Sequence, residues 1–166
     1  MSRSTALRLA AEYFDSGRFQ RDLQRRVALP TESQNAARAD ELAAYLREEI
    51  APALAALGFE TQQIANPVEG APPLLLARRI ESADAVTVLM YGHGDVVNGQ
   101  EGRWQQDRSP WQLSPDGDRW YGRGTADNKG QHSINLGALA AAIEAAGGKL
   151  GCNLKMIFEM GEEVGS

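Results

Sequence analysis

The chain has 166 residues, one domain's worth and long enough to bury a real core. Its apolar share of 43% is ordinary for a globular protein, and its net charge of −5 argues against a nucleic-acid partner or an acidic membrane surface. No apolar run is long enough to span a membrane, and the first fourteen residues lack the apolar core and small-residue cleavage site of a signal peptide. The single cysteine, Cys152, cannot form an internal disulfide, which fits a reducing, cytoplasmic compartment. Within a strand it reads as a small buried residue rather than a nucleophile.

In chain order, residues 4–15 put Leu7, Ala10, Ala11 and Phe14 on one helical face, and 17–28 repeat the pattern with Phe19, Leu23 and Val27. Arg18, Arg21, Arg25 and Arg26, interleaved with Asp15 and Asp22, read as a solvated helix face. Leu29–Ser33 breaks the periodicity and offers Thr31 or Ser33 as a helix cap. A longer helix runs to about Leu57 on Leu42, Tyr45, Leu46, Ile50 and Leu54; Pro52 should kink or split it and Gly58 should stop it.

Strands follow at Phe59–Ile64 and Leu74–Ile80, around a Pro- and Gly-rich loop at 66–73. Ala85–Tyr91 is a continuous apolar run, the pattern of a strand buried on both faces. Val97–Tyr121 has little periodicity and holds all three tryptophans; it reads as a long functional loop with a short hairpin near Ser114–Gly117. Gln131–Ala146 is an Ala-rich helix burying Ile134, Leu139 and Ile143 and ending at Gly147–Gly148. Cys152–Glu159 is the last strand. Helices alternating with buried strands predict an α/β fold with a largely parallel sheet.

Three short segments carry candidate chemistry. His93-Gly94-Asp95 follows a strand, and residues two apart in an extended segment point the same way. Asp95 can then accept a hydrogen bond from His93 and leave the other ring nitrogen free for a metal. Asp127 opens a helix from a Gly-rich turn, where its carboxylate could bridge two metal ions or merely satisfy the helix dipole. Glu162-Glu163 follows the last strand, and two adjacent carboxylates there ask for a nearby positive charge. The strand ends of an open α/β sheet are where sites form, so the three segments could share one crevice. His132 reads as a packing or capping residue and is not assigned to the metal.

Tyr91–Val97, Trp120–Gly130 and Glu159–Ser166, together with Val27–Ser33, resemble the co-catalytic zinc metallopeptidases. That family includes aminoacylases, acetylornithine deacetylase, succinyl-diaminopimelate desuccinylase, glutamate carboxypeptidases and carnosine-type dipeptidases. The resemblance implies a three-layer α/β catalytic domain, a mostly parallel mixed sheet flanked by helices, present here as its N-terminal portion without the lid or dimerisation domain. It implies two Zn2+ ions, with Co2+ or Mn2+ as alternatives. His93 would ligate one ion with Asp95 orienting it, Asp127 would bridge both, Glu163 would ligate the other, and Glu162 would be the general base. It also makes Asp127–Asn128 a candidate cis peptide.

The implied reaction is hydrolysis of the amide bond of a small peptide or N-acyl amino acid. The motif spelling and the tryptophan-bearing loop lean toward dipeptidases. The family pattern adds a further acidic ligand and a last histidine that have no counterpart here. Each zinc would keep two protein ligands where a catalytic zinc normally has three. The expectation is therefore weak zinc binding, no activity for this chain alone, and uncovered sheet surface that invites self-association. A non-catalytic remnant or interaction module is the alternative. A nucleotide-binding α/β domain is disfavoured, because Gly122-Arg-Gly124 lacks the glycine spacing of a phosphate loop.

Overall fold

The computed structural model describes residues 2–165. Ser2 caps helix α1 (Arg3–Asp15) by accepting the Thr5 amide. The packed face of α1 is turned from the expected one: Leu7 and Phe14 are exposed, and Thr5, Ala6, Leu9, Ala10 and Tyr13 are the half-buried residues. The cause is the partner surface. The Tyr13 ring lies on Gly137, where an added Cβ would sit 2.4 Å from Tyr13 Cε1.

Helix α2 (Arg18–Val27) buries Phe19, Leu23 and Val27 as the periodicity predicts. Arg26 lies on the same face, only 2% exposed, and its Nη1 donates to Ser133 Oγ at 2.6 Å. The arginine stretch is thus not uniformly solvated, since helical spacing aligns Arg26 with Leu23 and Phe19. Neither Thr31 nor Ser33 caps the next helix; Asn35 does, accepting the Ala37 amide at 3.1 Å.

The long helix forms in pieces: a 3₁₀ turn (Ala36–Arg38), α3 (Ala39–Ala44), a π-helical stretch (Tyr45–Ile50) and α4 (Ala51–Ala56). Pro52 has no amide proton for the i−4 carbonyl, and the ladder just before it shifts to an i−5 bond from Ala51 to Leu46. Leu42, Tyr45, Leu46, Ile50 and Leu54 are all buried. Gly58, at φ +78°, stops the helix: its amide donates to Ala55, and that of Phe59 to Leu54.

The main sheet has the order β1-β2-β6-β3, from β1 (Glu60–Ile64), β2 (Leu74–Arg79), β3 (Thr87–His93) and β6 (Asn153–Glu159). β3 runs parallel to β6, while β2 is antiparallel to both β6 and β1. Leu75, Ala77, Leu154, Met156 and Phe158 form the face covered by Leu46, Ile50, Leu54 and Leu136 of the helices. The opposite face is open and displays Leu76, Leu89 and Tyr91. The expectation that Ala85–Tyr91 is buried on both faces fails here: β3 is an edge strand, with Leu89 64% and Tyr91 52% exposed.

Helix α5 (Lys129–Ala145) connects the two halves, lying against α1, α2 and the sheet. It does not bury Ile134, which is 58% exposed; its buried face is Lys129, His132, Ser133, Leu136, Gly137 and Ala141. So many small apolar residues surround this helix that periodicity cannot choose a face. The expected hairpin is β4 (Ser114–Asp116) with β5 (Arg119–Tyr121), and Trp120 stacks on Phe14 and Phe19. Among the described residues, no helix is long and apolar enough to cross a membrane.

The Tyr13–Gly137 contact yields a test. Gly137→Ala should lower stability in urea denaturation by about 1–3 kcal/mol, because overpacking outweighs the gain in helix propensity. In a Tyr13→Ala background the same change should become neutral or stabilising by up to about 1 kcal/mol.

Candidate active site

Parallel pairing of β3 and β6 aligns His93 with Glu159, so the segments after both strands emerge side by side. The Gly94 amide donates to Glu159 O at 2.9 Å and ties them together. Only glycine fits at 94, because a Cβ would lie 2.5 Å from Tyr45 Cε1 and 2.8 Å from Met160 Sδ.

Asp95 is fully buried at this junction. Its Oδ1 lies 3.2 Å from His93 Nδ1, and its two oxygens accept the backbone amides of Glu162 (3.3 Å) and Glu163 (3.1 Å). Burial opposes its ionisation, but the His93 ring and the Glu163 amide hold its carboxyl below the usual range. One carboxylate therefore orients the His93 ring and fixes the Glu162–Val164 turn.

His93 is 3% exposed. Its Nε2 faces Asp127 Oδ1 at 3.0 Å and Glu162 Oε2 at 3.8 Å. Burial disfavours the charged ring, yet the bond to Asp95 and the nearby carboxylates push His93 up to about 9. The Asp127 and Glu162 side chains are 67% and 45% exposed, open to a ligand from solvent. Glu163 is raised by burial and then by the negative charges of Asp127, Asp95 and Glu162, with His93 opposing. Four carboxylates share one imidazole.

Asp127 is delivered by a tight turn. Gly124 sits at φ +83°, and a Cβ on Gly130 would fall 1.8 Å from Thr125 O. The Asp127–Asn128 peptide is cis. His132 lies behind the crevice, its Nε2 2.6 Å from Tyr45 Oη and its Nδ1 3.4 Å from Asn128 Oδ1. Desolvation, then Arg26 and Lys129, keep its ring neutral.

Sequence reasoning missed the supports beneath the site. Lys129 is fully buried, donates to Leu29 O at 2.6 Å, and is pushed down to about 7 by desolvation. Glu32 accepts the Gly99 amide at 2.7 Å, and Thr31 donates to Gly94 O at 2.6 Å. The Leu29–Ser33 break in periodicity pointed to caps, and the resemblance of Val27–Ser33 and Trp120–Gly130 to the family marked these segments without giving Thr31, Glu32 or Lys129 a role.

Among the described residues, no three His, Cys, Asp or Glu side chains are gathered to hold a metal as they stand. The donor chemistry nevertheless fits one. Two ligands on a tetrahedral zinc lie about 3.3 Å apart, close to the 3.0 Å between His93 Nε2 and Asp127 Oδ1. The surrounding carboxylates leave an excess of negative charge that a divalent cation would balance.

The family model for peptidase family M20/M25/M40 matches residues 89–166. The acetylornithine deacetylase of Pasteurella multocida is 37% identical over 116 residues, 69% of this chain and 29% of that protein. Human carnosine dipeptidase 1 superposes with a TM-score of 0.87 at 28% identity, over 98% of this chain and 35% of that one. The chain belongs to peptidase family M20. A cysteinylglycine-S-conjugate dipeptidase of Corynebacterium striatum is 45% identical over 83 residues, 49% of the M20 chain and 17% of that relative. The M20 chain thus spans about a third or less of the relatives it matches. The matched segment contains His93, Asp95, Asp127, Glu162 and Glu163.

The anchoring by Asp95 can be measured. Asp95→Asn should cost about 1.5–3 kcal/mol, the range for hydrogen bonds to a charged group. Amide hydrogen exchange at Glu162 and Glu163 should accelerate more than at Met156 in the central strand. Equal acceleration everywhere would mean only general destabilisation.

Proposed function

We propose that these residues form the N-terminal portion of the catalytic domain of a metal-dependent amide hydrolase of the dipeptidase type. The observation that carries the proposal is the histidine held between a buried carboxylate and an exposed one, at adjoining ends of two parallel strands. The M20 relationship and relatives named as dipeptidases support the chemistry. The substrate would be a small peptide or, as the named deacetylase suggests, an N-acyl amino acid. The single, half-buried thiol of Cys152 suits a reducing, cytoplasmic setting.

In this reading His93 and Asp127 would hold one zinc ion, and Asp127 and Glu163 would hold a second; cobalt or manganese would suit the same donors. When bound, the metal supplies Lewis acidity that polarises a carbonyl and lets water lose its proton near neutral pH. Asp95 keeps the His93 proton on Nδ1 and so directs Nε2 outward. Glu162, exposed at the rim, takes a proton from the attacking water and returns it to the leaving amine.

Two protein ligands per ion is one fewer than a catalytic zinc uses. The isolated chain should therefore bind zinc weakly and leave dipeptides uncleaved. Calorimetric zinc titration with His93→Ala and Asp127→Ala as controls, beside a dipeptide hydrolysis assay, tests this. Zinc binding indifferent to both substitutions would sink the metal-centre reading. Zinc-dependent turnover that disappears in Glu162→Gln would overturn the inactivity and keep the hydrolase.

We further propose that a second copy of the chain pairs with the open β3 edge of the sheet. β3 offers unpaired backbone at an edge continuous with exposed Leu89 and Tyr91, and a two-fold related β3 can pair with it antiparallel. Light scattering should show concentration-dependent association that Leu89→Lys reduces. A monodisperse monomer at high concentration would refute it.

A further inference from the structure

Thr31 lies in the Leu29–Ser33 segment, which no part of the proposed chemistry uses. It is fully buried, yet its side chain and backbone both bond to one loop. Its Oγ1 donates to Gly94 O at 2.6 Å, and its carbonyl accepts the Val96 amide at 2.9 Å. Gly94 and Val96 are the residues on either side of Asp95. The Ser33 amide donates to Val96 O at 3.3 Å and extends the contact as a short parallel bridge between Glu32 and Val96. Thr31 itself is tethered, because Leu29 O accepts both the Thr31 amide at 2.9 Å and buried Lys129 Nζ at 2.6 Å.

We propose that Thr31 is a positioning residue that holds Asp95, whose carboxylate and carbonyl oxygens both lie 3.2 Å from His93 Nδ1, by clamping the backbone on both sides of it. This rests on the metal-centre reading only for its consequence at the metal; the clamp and its effect on the His93 ring stand apart from it. The physical argument is angular. Asp95 must meet the His93 ring on one side and the Glu162 and Glu163 amides on the other. A loop free to rotate about residue 95 could not hold all three. Among the described residues the Thr31 hydroxyl donates only to Gly94 O, and a bond made wholly inside the protein is sensitive to loss of the donor.

The chain has only two histidines, so nitrogen-15 spectra of the rings read His93 directly, with His132 as an internal reference. In the metal-free Asp127→Ala chain, where no carboxylate lies 3.0 Å from Nε2 to compete for the proton, His93 should be a single Nδ1–H tautomer at a pH where the ring is neutral. The Thr31 substitutions are read by tautomer in that background and by cobalt binding with Asp127 intact. Thr31→Val, which keeps the shape and removes the hydroxyl, should give a mixture of tautomers. It should also weaken cobalt binding, followed by visible absorption, about three- to tenfold, at or below the 10–100-fold range seen when an orienting partner of a ligand is lost. Thr31→Ser should restore both readouts, and Thr31→Ala asks the same question should the valine chain not fold. Phe19→Leu, in the separate core under α1 and α2, controls for lost stability and should leave both readouts unchanged. A single tautomer with cobalt affinity within twofold in Thr31→Val would overturn the proposal. Cobalt binding by the parent chain that ignores His93→Ala would remove the metal-centre reading, and the tautomer readout would still decide the role of Thr31.

Discussion

The parallel pairing of β3 with β6 is the constraint on which the rest depends. It sets His93 beside Glu159, so the backbone past each strand meets the other at the same edge. Asp95 converts that proximity into structure. A carboxylate without solvent needs several donors to remain ionised, and it finds them in a ring from one strand end and two amides from the other. The same bonds that make Asp95 tolerable in the interior aim His93 outward. Stability and chemistry are thus served by one group.

Around this junction the packing leaves almost no room for variation. Tyr45 presses its ring on Gly94 and shares its hydroxyl with His132, which in turn approaches Asn128, beside Asp127. The helical stretch that carries Tyr45 is π-helical, and the extra residue per turn falls just before Pro52. The proline's missing proton is therefore absorbed within the stretch that supplies the brace under Gly94. Lys129 sits in the same interior, its charge discouraged by desolvation and offset by one carbonyl and the Tyr45 ring face.

Much of this could be read from the sequence wherever one short-range rule decided the outcome. Gly58 had to end a helix, Ser114–Gly117 had to turn, and Phe19, Leu23 and Val27 had to share a face. The His-Gly-Asp and Glu-Glu segments announced strand ends with polar cargo. The failures share a different cause. Leu7, Ile134 and Arg26 were misplaced because a helix bearing alanine, glycine and long side chains on several sides has more than one credible face, and only its neighbours choose. Ala85–Tyr91 looked buried because apolar runs do not say whether a strand is central or at an edge. Thr31 was legible as a breaker but not as a donor, since its acceptor is 63 residues away.

That distance has a kinetic side. Thr87 pairs with Asn153, and Asp95 gathers amides 67 and 68 residues downstream, so the contacts that join the two strand ends are remote. Closing such a span costs chain entropy before any of these bonds forms. Helices α1 and α2 can gather locally, but the crevice cannot appear until α5 has carried the chain back across the sheet. The crevice should then be among the last features to assemble and among the first to dissolve. Slow formation and joint loss of these contacts follow from the same topology that places two strand ends side by side.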